Sequence, residues 1–294
     1  MKRQRYLVFL LPLALLVSSP AWPAAASPDG KQIAYSFIGN PENIYVSDAN
    51  GENIKDVVVR SQRDFRPEWS PDGSHIVFTS VIDNTHVIMR VDPDGKNLRQ
   101  TSALSDAAGD PDYSPDGRQL IYFSDEPRPR DLFVRDIESG HDKQLTATSD
   151  FDEMSPRWAP DGRHVAFVGK AKVEGAESDI WSLDVETGER INLTATSSVG
   201  EFHPDWSHDG AKLVYVRVSD GKFDVAIRYV ESGKERVIAS GNGIAVLDPH
   251  FCLDDSCIRF TRTDFAEKAP GTPAIVSVDL DSLEETKLVQ GRFP

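Results

Sequence analysis

One phrase recurs six times along this chain, and it constrains the fold more than any other feature. The segments are SPDGKQIAYSF from Ser27, FRPEWSPDGSHIVFTS from Phe65, DPDYSPDGRQLIYFS from Asp110, SPRWAPDGRHVAFVG from Ser155, FHPDWSHDGAKLVYVR from Phe202 and DPHFCLDDSCIRFTR from Asp248. Their turn positions, Gly30, Gly73, Gly117, Gly162, Gly210 and Asp255, are spaced by 43, 44, 45, 48 and 45 residues. A β-rich unit that repeats every ~40–50 residues and cannot bury both of its faces alone reads as a propeller blade.

A second motif recurs in the other half of each unit: IYVSDANGENI, IMRVDPDGKNL, LFVRDIESGHDKQL, IWSLDVETGERINL, AIRYVESGKERVI and IVSVDLDSLEETKL. Each is an apolar-alternating run, a Gly- or Asp-rich turn and a second run, which reads as a hairpin. Every unit therefore holds four strands, and the expected fold is an all-β, six-bladed propeller of four-stranded antiparallel blades.

The Pro-Asp-Gly turn explains itself locally. Pro presets φ, the Asp carboxylate accepts from nearby backbone N–H groups, and Gly accepts positive φ. Asp29, Asp72, Asp116, Asp161 and Asp209 are accordingly read as turn residues, not as a ring of metal ligands. Asp92 to Gly95 is another turn, because its Gly is misplaced for a calcium loop and no Glu closes it. Trp69, Tyr113, Trp158, Trp206 and Phe251 share one repeat position and are expected to wedge between neighbouring blades. The sixth repeat lacks Pro-Asp-Gly, and Cys252 and Cys257 flank its substitute turn, where a disulfide would pin it.

The N-terminus reads as an export leader. Lys2, Arg3 and Arg5 precede an apolar run from Tyr6 to Val17, too short for the ~20 residues of a membrane span. Ala24 and Ala26 form an A-x-A site, and cuts just upstream put Trp22 or Pro23 where a small residue is wanted. The expected division is a signal peptide over 1–26 and one propeller domain over 27–294. The formal net charge of −15 would become −18 on loss of Lys2, Arg3 and Arg5, which disfavours nucleic acid and anionic lipid as partners.

The P-x-W-S-P-D-G-x-x-[IL]-x-[FY] units resemble the repeats of TolB-like β-propellers of the bacterial envelope. The resemblance spans almost all of 27–294 and implies the six-bladed fold and a periplasmic or secreted protein. TolB proteins carry a separate α/β domain before the propeller. Here the first Pro-Asp-Gly follows the leader directly, so a stand-alone propeller is expected. If the leader ends at Ala26, the first unit lacks its Pro-x-aromatic strand, and the C-terminal GRFP (291–294) is a candidate to complete that blade.

Two places are candidates for function. The first is the set of variable connections, EPRPR within 125–130, KAKVEGAES over 170–178 and TDFAEKAPGTP over 263–273, with Arg128, Arg130, Lys170, Lys172 and Phe265 as contact residues. The second is the channel. Residues flanking the repeated Pro should line it: Arg66 and Glu68, Asp110 and Asp112, Ser155 and Arg157, His203 and Asp205, Asp248 and His250. A water-filled channel would carry the same polar lining. His203 and His250 with Asp110, Asp205 and Asp248 would also be the ligands of a channel-bound divalent cation.

The expected function is a monomeric binding module for an envelope protein or polymer, with no cofactor. The alternative is a metal-dependent lyase or hydrolase acting on a saccharide at the channel. No G-x-S-x-G, H-E-x-x-H or phosphate-binding Gly loop occurs.

Overall fold

The computed structural model describes residues 21–37, 42–102, 107–126, 129–241, 244–264 and 273–290. They form 24 strands in six four-stranded antiparallel sheets, each hydrogen-bonded in chain order. Blade 1 is β1 (Ala21–Ala26), β2 (Gln32–Phe37), β3 (Asn43–Asp48) and β4 (Lys55–Val58). Blade 2 is β5 (Arg63–Trp69), β6 (Ile76–Ile82), β7 (Thr85–Val91) and β8 (Arg99–Gln100). Blade 3 is β9 (Ala108–Tyr113), β10 (Gln119–Ser124), β11 (Asp131–Asp136) and β12 (Asp142–Gln144). Blade 4 is β13 (Phe151–Trp158), β14 (His164–Ala171), β15 (Ser178–Asp184) and β16 (Arg190–Asn192). Blade 5 is β17 (Gly200–Trp206), β18 (Lys212–Ser219), β19 (Lys222–Tyr229) and β20 (Glu235–Gly241). Blade 6 is β21 (Ile244–Phe251), β22 (Cys257–Asp264), β23 (Ala274–Asp279) and β24 (Glu285–Gln290).

The six blades build the propeller that the repeats predict. The second strand of a blade is buried on both faces because a neighbour covers each. In β6, Ile76, Val77, Phe78, Thr79 and Ser80 are all fully buried. The repeated aromatics wedge between blades as expected. Trp69 packs among Ala34, Ile44 and Val46 of blade 1, Tyr113 against Val77 and Ile88 of blade 2, and Trp158 against Ile121 and Val134 of blade 3. Trp206 and Phe251 join a larger cluster that includes Ala166, Val214 and Tyr215. Cys252 and Cys257 form the anticipated disulfide across the sixth turn, with Cα atoms 5.2 Å apart.

The ring closes differently from the sequence expectation. Blade 1 is not short of a strand, because Ala21–Ala26 pairs with β2 through Trp22↔Ser36, Ala25↔Ala34 and Ala26↔Ile33. In this register Trp22 takes the place of Phe65, and Ala26 the place of Trp69. The tail GRFP (291–294) lies outside the described residues. Blades 6 and 1 are sealed by Ile33, Tyr35, Ile275 and Val289. At the rim of this seam Gly51 (φ 83) approaches so closely that a Cβ would lie 2.1 Å from the Leu288 carbonyl oxygen. Only Gly fits there.

Every innermost strand loses register at the same place. The breaks fall between Phe65 and Glu68, Met154 and Arg157, Phe202 and Asp205, and Leu247 and His250, with counterparts in β9 and β1. Pro cannot donate to the ladder, so the X-Pro pair is set out as a bulge. The residue before Pro takes positive φ in the bulge: 55° at Arg66, 53° at Asp110, 50° at Ser155, 53° at His203 and 50° at Asp248. Five non-glycine residues in this costly conformation, one in each of blades 2 to 6, mark the axis as a strongly constrained part of the molecule.

Candidate functional site: the axis and the loop face

The bulges gather the residues before Pro into one buried network. Arg66 Nη1 donates to Asp110 Oδ2 and to Ser155 Oγ at 2.8 Å, and Ser155 Oγ donates to the same Asp110 oxygen at 3.0 Å. Arg66 Nη2 lies 3.6 Å from Asp248 Oδ1, which stands 3.1 Å from His203 Nδ1. Arg66, Asp110, Ser155, His203 and Asp248 are each under 9% exposed. One guanidinium therefore joins carboxylates of two other blades and also bonds a third blade's hydroxyl.

The residues after Pro form a second set. Arg157 Nη2 pairs with Glu68 Oε1 at 2.7 Å, and His250 Nδ1 lies 3.5 Å from Asp205 Oδ2. Asp112 and Asp205 also reach across to the next blade. Asp112 Oδ2 accepts the Trp158 N–H at 2.7 Å, and Asp205 Oδ2 accepts the Phe251 N–H at 3.0 Å. Each of these carboxylates thus fixes the wedge aromatic of the neighbouring blade.

Burial and neighbours set the charge states. Burial, reinforced by Arg66 and Arg157, holds His203 well below its ordinary value, so it is neutral at pH 7. Burial opposes the charge on His250, but Asp205 outweighs it and raises the imidazole. Burial pushes Asp248 up to about 6 against the pull of Arg66. It also pushes Asp112 up, against Arg157.

The ten channel residues expected from sequence are thus brought together, but as partners of one another. The metal reading is not supported by their arrangement. His203 and His250 are engaged with different carboxylates, Asp248 and Asp205, and among the described residues no three His, Cys, Asp or Glu side chains are placed to hold a metal ion.

Three acidic residues missed in the sequence sit three places before the repeated Pro: Asp64, Glu153 and Glu201, all fully buried. Asp64 is gripped by Arg60 through Nε at 2.6 Å and Nη2 at 2.5 Å. Glu153 accepts from the Thr146 hydroxyl and from Arg190 Nη1 at 2.9 Å. Glu201 accepts from Thr194 Oγ1 at 3.1 Å and Thr196 Oγ1 at 2.9 Å. Burial pushes both glutamates up to about 7. Their signal was the acidic residue in RDFRP, DEMSP and GEFHP, and the twin LTATS segments before two of them.

The second-to-third and fourth-to-first connections share one face of an antiparallel blade, opposite the Pro-Asp-Gly turns. Of the five loop residues proposed for contact, Arg128 and Phe265 lie outside the described residues. Arg130 is half-buried and committed, with Nε donating to Asp125 Oδ1 at 2.5 Å and its guanidinium over the Phe123 ring. Burial pushes Asp125 up, but His86 and Arg130 overcome it and hold the carboxyl at about 2. Lys170 is half-buried, and Lys172 is exposed, 3.6 Å from Asp152. Between them and Glu174, Val173 is 66% exposed, the highest value for any large apolar residue among those described.

The TolB beta propeller domain matches residues 13–153, which hold the first two complete blades, all of the third and the start of the fourth. Over that segment, just under half of the chain, the sequence is similar to the TolB-like β-propellers, and the described residues form a six-bladed β-propeller. This propeller superposes on TolB from Acinetobacter baumannii with a TM-score of 0.73 at 20% identity, covering 93% of this chain and 63% of that one. It thus spans less than two thirds of that protein. A putative TolB from Agrobacterium tumefaciens gives a TM-score of 0.65 at 21% identity over 75% of this chain and 80% of that one. An oligogalacturonate lyase in complex with manganese gives 0.59 at 16% identity, covering 89% of each chain. No curated protein matches by sequence. At these identities the likeness is one of fold.

Proposed function

We propose that this TolB-like propeller is an exported, monomeric binding module that docks a protein partner in the bacterial cell envelope through its loop face. One observation carries the reading: the axial charges are consumed by one another, whereas the loop of blade 4 presents Val173 to solvent between lysines and glutamates. An apolar residue with charged neighbours repeats on a small scale the apolar centre and polar rim of a protein contact. The saccharide-lyase alternative lacks a converged ligand set among the described residues.

The test is crosslinking of the purified protein to cell-envelope extract, with Lys170→Glu, Lys172→Glu and Val173→Glu combined as control. The reading predicts one protein enriched by the native chain and lost with the control. Equal capture by both, or capture of polysaccharide alone, removes the protein-docking reading.

A further inference from the structure

The structure bears on where the leader is cut. We propose that processing occurs between Ala21 and Trp22, five residues upstream of the Ala24-Ala25-Ala26 site, so that Trp22–Ala26 is kept as the innermost strand of blade 1. This rests on the exported reading above.

The first ground is what a cut after Ala26 would remove. β1 lies against β5 of blade 2 on one side and against β21 and β22 of blade 6 on the other, so it stands at the seam that closes the ring. Ala25 is 3% exposed and packs in the cluster of Trp69, Ala34 and Ile44. Its carbonyl oxygen accepts the Trp69 indole N–H at 3.1 Å. Without β1, the inner edge of β2 would turn unpaired N–H and C=O groups toward the axis, and the fully buried Ile33, Ala34 and Tyr35 would lose cover. Buried backbone groups without partners are costly, and an open edge invites pairing with another chain.

The second ground is local sequence. A leader peptidase reads small residues three places and one place before the bond. Ser19 and Ala21 supply them, with Pro20 between. Ala21 stands four residues beyond the apolar run that ends at Val17, whereas Ala26 stands nine beyond it. The cut at Ala21 removes one ladder pair, Ala21↔Phe37, and leaves Trp22↔Ser36, Ala25↔Ala34 and Ala26↔Ile33 in place. In the reaction, water adds to the Ala21 carbonyl carbon and the bond to the Trp22 nitrogen breaks. Ala21 leaves as a carboxylate on the leader, and Trp22 becomes the new ammonium terminus.

The experiment expresses the full chain with its own leader in a bacterium that has a periplasm. The periplasmic protein is then analysed by intact mass and N-terminal sequencing. A terminus at Trp22 is expected. Ala21→Arg should stall processing and accumulate precursor, while Ala26→Arg should leave the terminus unchanged. A terminus at Ser27, the reverse response of the two variants, or an exported chain that keeps its leader overturns the cut at Ala21 and leaves export standing. A chain that stays in the cytoplasm uncut overturns export, and the proposal with it.

Discussion

His208 and Asp255 replace, as a pair, a contact that three other turns make with Pro and Gly. Asp255 Oδ1 accepts the His208 backbone N–H at 3.0 Å and lies 2.8 Å from its ring Nδ1. In three of the other turns the Gly of one blade faces the Pro of the blade before. A Cβ on Gly73 would meet Pro28 at 3.7 Å, on Gly117 Pro71 at 3.7 Å, and on Gly210 Pro160 at 3.3 Å. The fifth turn has His208 where Pro stands, and the sixth has Asp255 where Gly stands. Unlike Pro, His208 has an N–H to satisfy, and Asp255 satisfies it.

Asp255 holds φ 56, so its substitutions separate strain from bonding. Asp255→Ala loses the acceptor and keeps the strain, and should cost about 1–3 kcal/mol. Asp255→Gly loses the acceptor but relieves the strain, and should cost under about 1 kcal/mol. Urea denaturation of both variants checks the order; equal losses would refute it.

Arg66 is the hub of the axis, and removing it strands Asp110 and Asp248 in a buried site. Arg66→Ala should destabilise by about 3–5 kcal/mol, because an uncompensated buried charge is left behind. Adding Asp110→Asn and Asp248→Asn should recover part of that loss. Chemical denaturation of the single and triple variants measures it, and no recovery would show that the loss is packing alone.

Glu201 should make stability depend on pH. Burial raises it from 4.5 to about 7 in the folded protein. Between those values the folded state keeps a proton that the unfolded state has released, so stability falls as pH rises through that window. His203 acts oppositely: its folded value is well below 6.5, so its contribution is lost as pH falls below about 6.5. Glu201→Gln, which cannot ionise, should be more stable than wild type at pH 8 by on the order of 1–3 kcal/mol, with the advantage gone by pH 5. Melting temperatures of the two proteins across this range give the answer. Parallel curves would mean that Glu201 is not the group responsible.

The Cys252–Cys257 bridge closes a short loop, with a sequence separation of 5. Loop entropy assigns it about 2 kcal/mol. The double change Cys252→Ala with Cys257→Ala should lower the melting temperature by a few degrees without loss of fold, read by calorimetry against the disulfide-bonded wild-type protein.

The blade plan was legible because it is written locally. Turn chemistry sits in four residues, strand alternation in the next six, and Trp69, Tyr113, Trp158 and Phe251 announce the wedge by recurrence. The residues of the axis were legible as a list, because each flanks the repeated Pro. Their pairing was not, because Arg66 finds Asp110 and Asp248 at separations of 44 and 182 residues, and no short-range rule relates them. β1 was not legible as a strand for a similar reason. Ala21–Ala26 has neither aromatic wedge nor alternation, and its small residues look like a cleavage site when read alone.

The sequence by itself determined the number of blades, their four-strand order, the turn type and the disulfide, since each depends on residues close in the chain. The tertiary structure decided which axial charges meet, which strand completes the first blade, and that Arg130 is committed to Asp125 while Val173 is exposed. Those outcomes depend on how the ring brings distant blades together, and burial then sets the protonation of what it encloses.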